Sequence, residues 1–410
     1  MASRSQLNVG SFRLSMLIND KRYRSITFQI IALFLLCLAV GYLISNLLTN
    51  LRSAGLNISY DFLAEPAGYD INQRPIEYTS QSTHLRASIV GVLNTLIVAF
   101  LACATATVFG VIAGILRLSK NWLVSKIMAI YVEVFRNVPV LIWIIIIFTI
   151  MTAAMPAPKA FRGANAESSM LFDMFAFTNR GVYVPAPQFA NHLFGNELLN
   201  WVLVISLLLA SFLCARALRI WATAIQSSTG QRPTIWHFTL AIWFVPISLL
   251  MVFMGLYFDY PALKGFNFKG GLQIRGSLIA LWFALAIYTG AFIAENVRAG
   301  ILSVSRGQTE AAAALGLRPG RVMNLVILPQ ALRVIIPPMI SHYLNITKNS
   351  SLAIAVGYMD VTGTLGGITL NQTGRAIETI LLLMAFYLTI SLSISAIMNV
   401  YNNSIKLKER

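Results

Sequence analysis

Charge is scarce in this 410-residue chain: Asp, Glu, Lys and Arg together make up 11% of it. A soluble domain carries roughly a quarter charged residues, so a water-covered globular surface is excluded. Acid is scarcer still, with 15 Asp and Glu against 31 Lys and Arg, a formal net charge of +16. That excess would suit a nucleic-acid binder, but the basic residues are scattered between apolar runs, which argues against nucleic acid. The three cysteines, Cys37, Cys103 and Cys214, fall in separate apolar runs with neither disulfide nor metal spacing. The four histidines, at 84, 192, 237 and 342, are dispersed, so no metal site is expected. Neither HExxH, nor GxSxG, nor the GxxxxGK[ST] phosphate loop occurs. The chain is therefore not expected to be an enzyme, or to bind ATP or another cofactor itself.

Apolar length takes the place of charge. The chain is 57% hydrophobic, with a mean hydropathy of +0.70. A helix crossing a bilayer needs roughly 20 apolar residues. Eight runs meet that need: 26–48, 87–116, 127–153, 198–222, 237–257, 276–297, 331–347 (with 348–357 as a continuation) and 378–402. Eight crossings leave both termini on one side. The N-terminal tail, 117–126, 216–232, 298–333 and the C-terminal tail hold 19 of the 31 Lys and Arg. Their only acids are Asp20, Glu310 and Glu409, whereas the alternate loops 49–86, 154–197 and 258–275 carry most of the rest. Positive charge gathers in cytoplasmic loops, so both termini are predicted to be cytoplasmic. The first run follows Lys21-Arg22-Tyr23-Arg24, is too long for a signal-peptide core, and reads as a retained anchor. The loop 154–197 is rich in Phe, Pro and Asn without clear period, and reads equally as a partner contact or a plain connection.

The segment between the sixth and seventh runs contains Glu310-Ala311-Ala312-Ala313-Ala314-Leu315-Gly316, then Leu328-Pro329. An Ala-rich stretch is a strong helix former with almost no side-chain bulk. Gly316 is placed to end that helix, and Pro319-Gly320 to turn the chain back. Glu310 stands near its expected start, where a carboxylate favours the helix dipole. A small, smooth helix outside the membrane suits docking into a partner's groove, although Glu-Ala-Ala by itself is common in surface helices. Upstream lie Glu295-Asn296-Val297-Arg298-Ala299-Gly300 and Gly307-Gln308, charges and amides that also suit a solvated span end.

Three further constellations lie in or beside the apolar runs. Glu133 and Arg136, three residues apart in Tyr131–Pro139, share a helix face and can neutralise each other. They read either as an anchoring ion pair or as part of a gate. Pro337-Pro338 removes two amide donors, so the seventh span is expected to kink or break there. Lys348-Asn349-Ser350-Ser351 then interrupts an apolar run; such groups line a cavity, or Lys348 snorkels to the interface. Gly110-x-x-x-Gly114 permits close helix contact, a pattern that chance supplies readily among 26 glycines.

The stretch from Glu310-Ala311-Ala312 through Gly316 to Leu328-Pro329 resembles the EAA loop of ABC-importer permease subunits, with Val326 where Ile is usual. Gly307-Gln308 and Glu295-x-x-Arg298-x-Gly300 are similar to the same family's flanking pattern. Tyr131–Pro139 and Lys348–Leu352 resemble elements of the polar-amino-acid (HisMQ-like) branch, and the whole architecture is similar to the Aap/Bzt type of general L-amino-acid transporter. The resemblance implies an all-α membrane protein of about eight transmembrane helices, the type I importer domain with an extra N-terminal span and an inserted helical pair. It divides the chain into 1–86 (tail, first span, periplasmic loop), 87–402 (permease domain, coupling loop 298–330) and 403–410 (cytoplasmic tail). It implies a second permease subunit, a cytosolic ATPase dimer that uses the ATP, a periplasmic amino-acid-binding protein, and a bacterial inner membrane. It places coupling at Gly307, Gln308, Glu310, Ala311, Ala312, Gly316, Leu328 and Pro329. The substrate path is placed near Glu133, Arg136, Lys348, Asn349, Ser350 and Ser351. A secondary, ion-coupled transporter is the alternative, but its coupling acids should lie within spans, where only Glu133, Glu295 and Glu378 approach the ends.

Overall fold

The computed structural model describes residues 18, 21–53, 55, 57–163, 167–191, 195 and 197–405. Asp20, Glu409, His192 and most of both tails lie outside the described residues. Two compact units divide between Phe62 and Leu63. A 3-10 turn at Asp61–Ala64 spans the boundary in sequence, and the first unit contains one long helix, α1 (Lys21–Ser53). Its apolar side chains are exposed along its length, Leu36 at 60% and Leu43 at 63% among them. A helix apolar all round and unburied by its own chain suits a bilayer.

In the second unit, α2 (His84–Arg117) starts at the Thr83 cap, whose hydroxyl accepts from the Arg86 amide at 3.3 Å. Next come α3 (Trp122–Asn137) and α4 (Val140–Ala154), then three strands: β1 (Ala176–Thr178), β2 (Gly181–Val184) and β3 (Ala186–Phe189). The helical pair α5 (Glu197–Thr229) and α6 (Trp236–Phe253) precedes β4 (Leu256–Asp259), β5 (Ala262–Lys264), β6 (Asn267–Lys269) and β7 (Leu272–Arg275). Then follow α7 (Gly276–Leu302), α8 (Arg306–Ala314), α9 (Pro319–Val322), α10 (Leu328–Asn349), α11 (Leu370–Thr373) and α12 (Ala376–Ile405).

Seven of these helical segments are long and apolar enough to cross a membrane, or eight if the bent pair α3–α4 is one span. That agrees with the eight expected runs, but the third is not a single rod. Its two halves meet at 106°. Pro139 excludes Val138 from helical geometry, and Val138 is extended at φ −109°, ψ 132°. Pro337-Pro338, expected to kink or break the span, does not break it: α10 runs helically through both prolines. The irregularity falls on either side: a π-helical stretch at Met323–Ile327 and a 3-10 stretch at Ser350–Val356, ended by Gly357 at φ +67°. To the helices the fold adds seven short strands that the loop sequences did not announce.

The core lies where α2, α4, α7 and α10 meet, around Val98, Ala102, Ile144, Leu281, Ile293 and Ile346. Gly110 and Gly114 do form a close contact there. A Cβ on Gly110 would lie 2.5 Å from Ile293 Cβ and 2.9 Å from the Gly290 carbonyl, and one on Gly114 would lie 2.7 Å from the Ala294 carbonyl. Polar bonds pin this seam, Trp282 Nε1 donating to Thr105 Oγ1 at 3.0 Å and Tyr131 OH to the Ile287 carbonyl at 2.7 Å. Leu63–Thr83 packs on the start of α2, with Asn94 Nδ2 donating to the Gln73 and Met359 carbonyls, both at 2.9 Å.

Candidate functional site

The Ala-rich segment forms the helix its composition demands. α8 begins at Arg306, after Ser305, and ends at Leu315. Gly316 takes φ +76°; its amide donates to Ala313 O at 2.9 Å, and the Leu317 amide to Ala312 O at 3.3 Å. This pair of bonds is the Schellman end, which needs a left-handed residue at the glycine position. Because α8 starts four residues earlier than the sequence suggested, Glu310 is mid-helix, and the first turn holds no acid. Beyond the first turn the Glu310 carboxylate gains little from the helix dipole. Pro319 does not turn the chain back either: it opens α9, where its missing amide costs nothing.

Gly307, Gln308, Glu310, Ala311 and Gly316 are exposed, while Ala312 is buried at 5% and seats the helix. Leu328 and Pro329 open α10, and Gln330 Nε2 donates to Gln308 Oε1 at 2.5 Å, tying the two ends of the loop. Gly300, in the expected Glu-x-x-Arg-x-Gly stretch, is a close-approach residue: a Cβ there would meet the Ala331 carbonyl at 3.1 Å. The loop is thus rooted in α7 on one side and α10 on the other.

Just inside the loop lies a charge cluster whose hub is Arg117, which the sequence reading did not single out. Arg117 sits at the end of α2, 14% exposed, and pairs with Glu295 of α7 and, at 3.8 Å, with Glu133 of α3. Glu295 also accepts from Arg298 at 3.0 Å. Glu133 and Arg136 do not pair with each other. At the end of α3 the Arg136 guanidinium turns instead over the Phe292 ring, 5.2 Å from its centroid. Phe292 in turn lies 5.8 Å from His342, which bonds Asn296 at 2.8 Å. Only the rarity of polar side chains inside apolar runs could have marked Asn296 and His342.

The other expected path element stands elsewhere. Lys348 is exposed and Asn349 half-buried at the end of α10. Ser350 is fully buried and Ser351 half-buried, and their hydroxyls donate to the Thr347 and Lys348 carbonyls, each at 2.8 Å. These serines satisfy the carbonyls freed where the α-helix tightens to 3-10. Among the described residues no hydrogen bond or ion pair joins Arg136 to 348–351. Beyond them Asp360, also missed, is wholly buried, its Oδ1 accepting from the Gly363 amide at 2.8 Å. Burial pushes its carboxyl up to about 7, against the Gly363 amide bond that lowers it.

The family described as "Binding-protein-dependent transport system inner membrane component" matches residues 233–407. The glutamate/glutamine/aspartate/asparagine transport system permease protein BztB of Rhodobacter capsulatus is 53% identical over the whole of both chains. The putative amino-acid ABC transporter permease protein YhdX of Escherichia coli is 43% identical over 94% of this chain and 95% of its own. The general L-amino acid transport system permease protein AapQ of Rhizobium johnstonii is 42% identical over 98% and 96%. With full-length identity well above 30%, the chain belongs to the amino-acid ABC transporter permease subunits, a family of multi-pass membrane transport proteins and not of enzymes.

Proposed function

We propose that this chain lines one side of the translocation path of an importer for acidic amino acids and their amides, and that α8 docks into a cytosolic ATPase dimer. The observation that carries the reading is the loop itself. A nine-residue, small-residue helix is fixed at both roots and capped by a Schellman glycine, and one face is free. A second permease subunit completes the path, a periplasmic binding protein delivers the substrate, and both termini lie in the cytoplasm of a bacterial inner membrane. ATP is bound and hydrolysed by the partner, since this chain has no phosphate loop. The substrate class is supported by the full-length likeness to a relative named for glutamate, glutamine, aspartate and asparagine. Nucleotide-driven closure of the ATPases moves α8, and α7 and α10, continuous with its roots, carry the motion into the core. Arg136 and the 348–351 segment stand as candidate contacts on the path, tested by uptake kinetics of Arg136→Ala and Lys348→Ala.

Gly316→Asp puts a Cβ at φ +76° and a charge on the docking face. It should abolish uptake while the chain still accumulates in the membrane, and Glu310→Lys should weaken ATPase co-purification. Wild-type uptake by Gly316→Asp would show that the loop is only a connector. An ion-coupled transporter would instead take up substrate without ATP when given an ion gradient.

A further inference from the structure

The stretch between α4 and α7 contains two long connections, 155–196 and 254–275, at opposite ends of the sequence of the α5–α6 pair. Strand pairing makes them one body. β2 lies between β1 and β7, with Gly181 opposite Arg275 and Val184 opposite Leu272, and β3 pairs with β4. A small core of Ala176, Tyr183 and Phe268, with Met170 and Leu263 against it, holds this lobe together. Tyr183 OH donates to Asn267 Oδ1 at 2.8 Å. Arg275 Nε donates to the Asn72 carbonyl at 3.1 Å and fastens the lobe to the 63–83 segment.

Two hairpin tips project from that core. At one, Leu171 and Phe175 exchange backbone hydrogen bonds at 2.8 and 3.0 Å. Between them Phe172 and Asp173 both take left-handed geometry, φ 53° and 56°. A bulky aromatic at positive φ is an outlier, and such strain persists only where something else selects for the residue. Packing does not select for Phe172, a residue 74% exposed. At the other tip, between β5 and β6, Phe266 is 83% exposed beside Gly265, with the Arg162 guanidinium 5.9 Å from its ring centroid. The lobe carries six Lys and Arg against three Asp and Glu.

We propose that this lobe is the docking platform for the extracytoplasmic amino-acid-binding protein, with Phe172 and Phe266 as apolar anchors on a lobe of net positive charge. The proposal rests on the importer reading above. Two rigid aromatic tips give contact area at little entropic cost, and the lobe's excess of basic residues favours a partner with an acidic face and steers its approach. A bilayer surface is the poorer occupant, because interfacial belts use Trp and Tyr, whose polar ends reach water, and both tips are Phe. The mechanical setting adds to this. β7 runs into α7 without a linker, Arg275 to Gly276, and the far end of α7 leads into α8. A 27-residue helix, about 40 Å long at 1.5 Å per residue, thus joins the platform to the ATPase-docking helix.

The test uses the complete importer in phosphatidylcholine nanodiscs, with the cognate binding protein loaded with glutamate as the probe. The readouts are direct binding and the binding-protein concentration that gives half-maximal stimulation of ATP hydrolysis. Phe172→Gly removes the ring and suits the left-handed turn, so the lobe keeps or gains stability. It should raise the half-maximal concentration about tenfold, with basal ATP hydrolysis unchanged. Adding Phe266→Ser should raise it further. Wild-type concentration dependence in the double variant overturns the platform, while normal stimulation leaves the importer reading intact. A wild-type complex that no binding protein stimulates refutes the importer reading and the platform with it. A defect seen with anionic lipid but absent in phosphatidylcholine assigns the tips to the membrane and also overturns the proposal.

Discussion

Helices α5 and α7 have nearly the same mean hydropathy, 2.2 and 2.0 over their most apolar windows, yet 17% of the first window and 61% of the second is buried. Size separates them. α7 presents Ala280, Ala284, Gly290, Ala291 and Ala294 to the core, whereas α5 and its partner α6 expose Leu209, Phe212, Trp221, Phe244 and Leu249. Lipid is as apolar as leucine, so hydrophobicity cannot choose which face of a span meets protein. Small residues can, because they let backbones approach and gain dispersion contacts that a lipid tail would not supply.

The largest effect that would break this comparison is at the seam. Gly110→Leu must displace Ile293 and the Gly290 backbone, neither of which is a flexible side-chain end. It is expected to cost roughly 3 kcal/mol or more and to abolish accumulation of the folded chain, read by membrane abundance and by thermal melting in detergent. A Gly110→Leu chain as stable as wild type would show that α2 and α7 are not held as close as the geometry requires.

A smaller loss is expected at the charge cluster. Arg117→Ala strips Glu295 of one partner but leaves Arg298, and Glu133 is 61% exposed. About 1–2 kcal/mol is expected, below the cost of breaking a fully buried pair. Glu295→Gln in the same background strips Arg298 of its partner and should lower stability slightly further. A double variant as stable as Arg117→Ala would mean that Glu295 holds nothing once Arg117 is gone.

How much of this was readable in advance differs by region. Spans, the Ala-rich helix and its glycine end were legible because apolar run length and Ala-Gly chemistry act locally. The break at Val138-Pro139 was signalled by proline, yet Pro337-Pro338 carries a stronger signal and the helix passes through it. The core residues Ala331, Ile335 and Met339 hold that segment of α10 against α2, α4 and α7. The Arg117 hub was illegible because its partners are 16 and 178 residues away in sequence, and charge pairing at that range follows only from packing. The β-lobe escaped notice for the same reason: its strands are three or four residues long and find partners across an inserted helical pair.

Asp360 allows a milder test of the core side of the comparison. Its folded-state carboxyl titrates at about 7 against an ordinary 3.8, so folding favours the protonated form. The stability it contributes is full below pH 3.8 and is lost as pH rises towards 7. Asp360→Asn should therefore flatten the pH dependence of the melting temperature between those limits and raise it at pH 8. An unchanged slope in the variant would mean that Asp360 stays ionised throughout.

The smallest effect is expected on the inserted pair. Phe244 is 63% exposed on α6, and among the described residues its helix packs mainly on α5 and β4. If that face meets lipid, Phe244→Ala replaces ring–lipid contacts by lipid–lipid contacts of similar strength, and the melting temperature should move by less than the equivalent of about 0.5 kcal/mol. Uptake and co-purification of the second permease subunit should be unaffected. The contrast with Gly110→Leu is what sharpens the comparison, since the two changes alter comparable apolar volume in helices that are both apolar enough to cross a membrane. Should Phe244→Ala instead release the partner subunit while this chain stays folded, the face is an assembly surface. Exposure in the single chain would then divide the spans into those buried by this chain and those buried by the next, and the rule of small residues would apply only to the first group.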